Sequence, residues 1–111
     1  MKNIMVCGSK SIGKTALIHK YLYNKDITEY RYTVGVQIKS NSIFALWETP
    51  FEKIEKYIKF MYHIIVISKK PKKYVSMLSN IEYTILTPSN PYLMLNTFKS
   101  ILELMEEHCE I

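Results

Sequence analysis

The pattern Gly8-Ser9-Lys10-Ser11-Ile12-Gly13-Lys14-Thr15 constrains this chain more than any other feature. Glycines at both ends let the backbone adopt conformations closed to other residues, so successive N–H groups can turn inward around an anion. Such a loop needs a strand to fix its start and a helix whose positive end faces the same point. The flanking residues supply both. Ile4-Met5-Val6-Cys7 is an apolar run ending on glycine, the pattern of a buried strand entering a turn. Thr15 to Leu22 reads as a helix, with Ala16, Leu17, Lys20 and Tyr21 giving an apolar stripe beside a basic side. In a phosphate-binding loop (P-loop) of this kind, Lys14 reaches the outer phosphates and the Thr15 hydroxyl ligates a bridging magnesium ion. The amides of Ser11, Ile12, Gly13 and Lys14 then cradle the β-phosphate. The chain has three glycines, and two stand where the motif requires them after an apolar run.

The rest of the chain alternates in kind. Asn24 to Tyr32 is polar, lacks periodicity and reads as a surface loop. Val34, Val36 and Ile38 alternate with Gly35, Gln37 and Lys39, and Ile43 to Trp47 forms a second apolar run after Ser40-Asn41-Ser42, which predicts an antiparallel hairpin. Phe51, Ile54, Ile58 and Met61 recur at three- and four-residue steps among lysines and glutamates, the pattern of an amphipathic helix. Ile64 to Ile67 predicts a buried strand, Tyr74 to Leu78 a short helix, and Tyr83 to Leu86 a last strand. Leu93, Phe98, Ile101, Leu102 and Met105 mark a long C-terminal helix whose last turn is acidic, against the helix dipole. Strands alternating with helices imply an α/β class: one P-loop domain over residues 1–111, a mostly parallel sheet flanked by helices.

Composition narrows the partners. At 111 residues, 48% of them apolar, the chain supports one core. The net charge of +5 favours phosphate-bearing ligands without demanding them. Nine tyrosines and fifteen basic residues do not combine into a nucleic-acid motif, so no nucleic-acid partner is expected, and Lys69 to Lys73 reads as a solvated loop. His19, His63 and His108 are scattered and are assigned to packing or surface. Cys7 and Cys109 have no metal or disulfide spacing, which fits a reducing, cytoplasmic setting. Cys109 is third from the end where a prenylation box needs it fourth, so no lipid anchor is expected.

Residues Lys2 to Lys39 resemble the start of a Ras-superfamily GTPase of the Rab group. The resemblance rests on Ile4 to Gly8, the P-loop, and Tyr32-Thr33-Val34-Gly35-Val36-Gln37-Ile38-Lys39. The last segment is similar to the family's switch I, where a threonine closes on the γ-phosphate and magnesium. Thr33 falls 18 residues after Thr15, the family's separation. Leu46-Trp47-Glu48-Thr49-Pro50 resembles the family's Trp-Asp-Thr-Ala-Gly segment, which implies a magnesium role for Glu48 alongside Thr15 and Thr33. Glu52 then occupies the position of the water-positioning glutamine, while Pro50 and Phe51 replace residues that let switch II move. Glutamate still serves magnesium through water, with a shifted reach.

The family's guanine-reading Asn-Lys-x-Asp motif is missing. Ile65-Val66-Ile67-Ser68-Lys69-Lys70-Pro71 is either its eroded form or the family's preceding strand, and neither alignment leaves a carboxylate for guanine. Tyr83-Thr84-Ile85-Leu86-Thr87-Pro88-Ser89 followed by Leu93 to Glu107 resembles the family's last strand, Ser-Ala-Lys loop and closing helix, with Ser89 in place of the lysine. The resemblance thus implies a shortened small GTPase that binds GTP or GDP with magnesium and hydrolyses weakly or not at all. Its alternative is a non-catalytic pseudo-GTPase presenting a Rab-like surface to protein partners of Rab-type GTPases. An exposed sheet edge left by a lost strand-helix unit would be covered by a second copy, a homodimer. A nucleotide kinase ranks last, because Arg31 alone is available to clamp a transferring phosphoryl group.

Overall fold

The computed structural model describes residues 1–8, 13–24, 35–78 and 80–107. Its framework is set by a strand that is apolar on both sides. β1 (Lys2–Gly8) buries Ile4, Met5, Val6 and Cys7 completely, which only a strand flanked by partners and covered on both faces achieves. It pairs in parallel with β3 (Phe44–Glu48) on one side and β4 (His63–Ile67) on the other. Outside these lie β2 (Gln37–Ser40), antiparallel to β3, and β5 (Tyr83–Leu86), parallel to β4. The order is β2-β3-β1-β4-β5, a mostly parallel α/β sheet with one antiparallel edge strand.

Helices cover the two faces unequally. Ile4 and Val6 point into a larger core with α1 (Lys14–Tyr23) and α4 (Pro91–Glu107), where the Tyr21 ring meets Phe98 edge-on at 5.4 Å. Met5 and Cys7 point to a smaller core with Ile54 of α2 (Ile54–Tyr57) and Tyr74 of α3 (Lys72–Val75). Asn90 starts α4: its Oδ1 accepts the Leu93 N–H at 2.8 Å, and Pro91 follows at the position where a missing N–H costs nothing. Among the described residues no helix is long and apolar enough to cross a membrane.

Four expectations are corrected in detail. On α1 the buried pair is Leu17 and Ile18, and Ala16 is exposed, because the helix rests on the sheet one position further round than the stripe implied. On β2 the alternation does not bury Ile38, which is 54% exposed, since it stands on an edge strand whose one partner among the described residues is β3; Val34 lies outside the described residues. The hairpin turn itself forms as its sequence predicts, with Asn41 Oδ1 accepting the N–H groups of Ile43 and Phe44, each at 2.8 Å. The amphipathic stretch after Pro50 is not one α-helix: tight 3₁₀ turns at Phe51–Lys53 and Ile58–Phe60 flank α2. Lys53 and Tyr57, both near φ −105° and ψ −7°, relax the spiral between them so that the apolar side chains stay on the sheet. On α4 the seam is Met94, Phe98, Leu102 and Met105, with Leu93 half-exposed on the outer side.

The sheet also decides where Ile64 to Ile67 belongs. β4 pairs directly with β1, and β5 pairs directly with β4, with α3 between them in sequence. β4 is therefore the strand beside the loop-bearing strand, in accord with the second of the two alignments.

Candidate functional site

All four parallel strands end at one edge of the sheet, where an open α/β fold presents its ligand crevice. Gly8, the last residue of β1, approaches β4 so closely that a Cβ there would lie 2.1 Å from the Ile67 carbonyl oxygen. Its φ of +154° adds a conformational demand to the steric one. Gly13 caps α1 at φ 90° and ψ 18°, the left-handed region, and its carbonyl accepts the Leu17 N–H at 2.9 Å. The two glycines of the motif are thus required for different reasons, one by crowding and one by backbone conformation alone. Ser11, Ile12 and Thr33 fall outside the described residues.

Between these anchors, Lys14 reaches back so that its Nζ donates to the Gly8 carbonyl oxygen at 3.0 Å, tying the end of the loop to its start. Burial lowers the pKa of this ammonium, opposed by the negative field of Glu48 and, less, by Cys7. Next to it, the Thr15 hydroxyl donates to Glu48 Oε2 at 2.7 Å. Glu48 is 3% exposed and ends β3, in register with Val6 of β1. The sheet register therefore carries a carboxylate to the first turn of α1. Thr49 holds this strand end in place, its N–H donating to the Val6 carbonyl at 3.0 Å and its hydroxyl to the Trp47 carbonyl at 2.9 Å.

A hydroxyl oxygen beside a carboxylate is a hard-oxygen pair, the donor type magnesium takes while keeping waters and phosphate oxygens in its shell. The direction of the bond fits as well. A threonine that gives its proton to a carboxylate leaves its oxygen lone pairs for a cation, and the carboxylate orients that ligand from outside. The residues present fit the ion.

The neighbouring groups are structural. Cys7 is buried, its thiol donates to the Ile65 carbonyl at 3.8 Å, and burial pushes its pKa up to about 12, which removes it as a nucleophile. After Thr49, Pro50 is extended and Phe51 turns back into the smaller core, edge-on to Tyr74 at 5.3 Å, with Lys73 Nζ 4.6 Å above its ring. Lys73 thus packs on an aromatic surface instead of standing free in a solvated loop. Glu52 follows on the exposed side of that turn. At the end of β4, the buried Ser68 accepts the Lys70 N–H through its Oγ at 3.0 Å and so caps its own loop. His63 bonds Thr84 at 2.8 Å and stands 4.0 Å from Glu82, joining β4 to β5; burial lowers its pKa, with Glu82 opposing.

The structure brings Gly8, Gly13, Lys14, Thr15 and Glu48 together at one edge of the sheet, and the direct bond between Thr15 and Glu48 is a contact that sequence reasoning did not foresee. The sole available signal was the alignment of Leu46-Trp47-Glu48 with a strand end. Comparison with family models gives no match. Among curated proteins, the chain is similar to a "Probable Rab-related GTPase" of Acanthamoeba polyphaga mimivirus, 26% identical over 69 residues. The match covers 54% of this chain and 32% of that relative, so the chain spans about a third of the relative's length. This partial likeness suggests a Ras-superfamily relationship.

Proposed function

We propose that this chain binds a nucleoside di- or triphosphate with magnesium, GTP or GDP by its likeness to the Rab-related protein, and hydrolyses it slowly or not at all. The observation that carries this reading is the 2.7 Å hydrogen bond between Thr15 and Glu48, which lie 33 residues apart in sequence and meet beside a glycine-bounded loop. In this reading the amides of Ser11 to Lys14 hold the β-phosphate and Lys14 neutralises the outer phosphates. Thr15, Glu48 and Thr33 would hold magnesium, which when bound draws charge from the phosphate oxygens. Gly8 and Gly13 fix the loop's two ends. The slow chemistry follows from Phe51, whose ring is held against Tyr74, so that the segment bearing Glu52 lacks the freedom to follow the γ-phosphate.

Isothermal titration of the chain with nucleotide in magnesium tests this. Binding that falls at least about a hundredfold in Lys14→Ala is expected, since the variant removes the charge on the outer phosphates. Equal binding by wild type and Lys14→Ala, or no magnesium-dependent binding at all, would refute it.

The same packing of Phe51 favours a second reading, a non-catalytic pseudo-GTPase that presents a fixed Rab-like surface. Such a surface would bind effectors or exchange factors of Rab-type GTPases equally with and without nucleotide. Loss of that binding on nucleotide removal would count against it.

A further inference from the structure

The 3₁₀ turn Ile58–Phe60 and the residues after it gather aromatic rings and lysines where β1 and β4 begin, at the end of the sheet opposite the glycine-bounded loop. Asn3 of β1 holds this segment twice: its carbonyl accepts the Tyr62 N–H at 2.8 Å, and its Nδ2 donates to the Phe60 carbonyl at 3.2 Å. The backbone is fixed while the rings stand at the surface, Phe60 54% and Tyr62 37% exposed. Lys2 Nζ lies 3.6 Å from the centre of the Tyr62 ring and Lys59 Nζ 5.2 Å from that of Phe60. Charge is one-sided here. Lys2, Lys56 and Lys59 form no ion pair among the described residues; from Ile54 to His63 the sequence has one carboxylate, Glu55, and Glu82 stands by His63 at 4.0 Å.

We propose that this patch docks on the surface of an anionic lipid bilayer, with the ammonium groups among the headgroups and the rings of Phe60 and Tyr62 at the boundary with the acyl chains. The inference stands independently of the phosphate-binding reading. Its first support is the pairing of an apolar body with a charged tip. Lysines that lie along exposed aromatic surface keep their ammonium groups in the polar layer while the rings beneath them enter the apolar one. The Tyr62 hydroxyl suits the same boundary, where one end of a ring is dry and the other wet.

The same geometry argues against other occupants. A single-stranded nucleic acid stacks its bases on open ring faces, and here a lysine lies over a face of each ring. An acidic protein segment would satisfy the ammonium groups and leave Phe60 without an apolar neighbour. A second copy seated symmetrically on the patch would set lysine against lysine. A bilayer of anionic lipid offers phosphate and hydrocarbon side by side. The placement also leaves the loop free: β1 runs seven residues from Lys2 to Gly8, about 20 Å of strand, so a chain docked by this end turns its glycine-bounded loop toward solution.

Co-sedimentation of the full chain with vesicles tests this, comparing phosphatidylcholine alone with phosphatidylcholine carrying about 30 mol% phosphatidylserine. Binding at least about tenfold tighter to the anionic vesicles is expected, with most of that gain lost in about 0.5 M salt. Lys2→Gln combined with Lys59→Gln should weaken it about 25-fold, at about fivefold per lysine. Phe60→Ser, which keeps the charge, should weaken it about five- to tenfold. Lys69→Gln combined with Lys70→Gln removes the same charge from exposed positions beyond the far end of β4, more than a Debye length away, and should change binding by less than about twofold. An unchanged melting temperature confirms that each variant is folded. Equal affinity for the two vesicle types, equal losses from the two lysine pairs, or full affinity in Phe60→Ser overturns the proposal. Tighter binding to single-stranded oligouridylate than to the anionic vesicles overturns it too, as does a dimer that Phe60→Ser dissociates.

Discussion

β3 and β4 both run parallel to β1 and end at the same edge of the sheet, yet they end differently. β3 finishes in a buried carboxylate that crosses to the Thr15 hydroxyl, so the strand's last residue works outside its own segment. β4 finishes in a buried hydroxyl that turns back on the Lys70 N–H and serves only its own loop. Beyond β4, the sheet closes on β5 with Tyr83 and Ile85 exposed. The contrast shows which parts of a P-loop fold are local. The hydroxyl–carboxylate pair beside the loop is built from one strand, one helix and the neighbouring strand end, all on the β3 side, whereas on the β4 side the buried Ser68 hydroxyl is occupied with its own loop.

The position where the two sides meet carries the largest expected effect. Gly8→Ala would drive a methyl to within 2.1 Å of the Ile67 carbonyl, a backbone atom that cannot rotate away, at a φ that L-residues avoid. The expected loss is about 3–5 kcal/mol of stability, read from the urea midpoint, since strain and overpacking add. A loss below about 1 kcal/mol would show that β1 and β4 separate easily, and the description of a shared rigid edge would fall. Gly13→Ala, where a Cβ meets nothing within 4 Å, should cost only the left-handed penalty, about 1–2 kcal/mol.

The next effect distinguishes the two strand ends directly. Thr15→Ala removes a donor from a buried carboxylate and should cost about 1–3 kcal/mol, whereas Ser68→Ala, losing a neutral bond to Lys70, should cost about 0.5–1.5 kcal/mol. The decisive readout is magnesium. Thr15→Ala should lower nucleotide affinity in magnesium by about 10–100-fold and Ser68→Ala should leave it unchanged. Equal magnesium dependence in the two variants would erase the difference between the sides.

A smaller effect is electrostatic. Lys14 is partly buried, and its pKa lies below the ordinary lysine value of 10.5 because burial disfavours its charge. A polyphosphate favours the charged form, so binding raises that pKa. Affinity is therefore constant below the free-state pKa and falls as pH rises through it, by at most about tenfold per unit for one proton. With ATP, whose base does not titrate in the alkaline range, the fall should begin below pH 10.5. Lys14→Arg, which stays charged, should bind without that alkaline fall. A pH-independent wild type would mean that Lys14 does not meet the phosphates.

The β1-loop-α1 unit was legible because its demands are local: an apolar run, glycine where the backbone requires it, and a lysine and threonine that follow in sequence. β3, β4 and β5 were legible for the same reason, as short apolar runs between turn residues. What stayed hidden depends on tertiary placement. Ile38 alternates correctly yet is exposed, because β2 is an edge strand and among the described residues no helix covers it. Leu93 fits a helical apolar pattern but lies outside the seam, since the sheet selects which of two overlapping stripes it covers. The Thr15–Glu48 bond depends on the register of β1 against β3, which no periodicity encodes. The patch of Lys2, Phe60 and Tyr62 arises from two segments that meet only in the folded chain.

The smallest expected effect tests the outer edge on the β4 side. Tyr83 and Ile85 pair with Ile64 and Val66, whose side chains enter the smaller core, but α3 is four residues long and does not extend over β5. The same row of the sheet is therefore fully buried on β4 and about 40% exposed one strand outward. Ile85→Lys should change stability by no more than about 0.5 kcal/mol, because the residue contributes little buried area and an edge lysine remains hydrated. Val66→Lys, one strand inward, places an unpaired ammonium in the apolar core and should cost about 3–5 kcal/mol or prevent folding. Ile85→Lys should also leave the affinity for ATP unchanged, since the proposed phosphate site follows β1, two strands away from β5. A stability loss above about 1 kcal/mol in Ile85→Lys would mean that another part of the molecule, or a second copy of it, covers β5 in solution, and the boundary between a built side and an uncovered side would move outward by one strand.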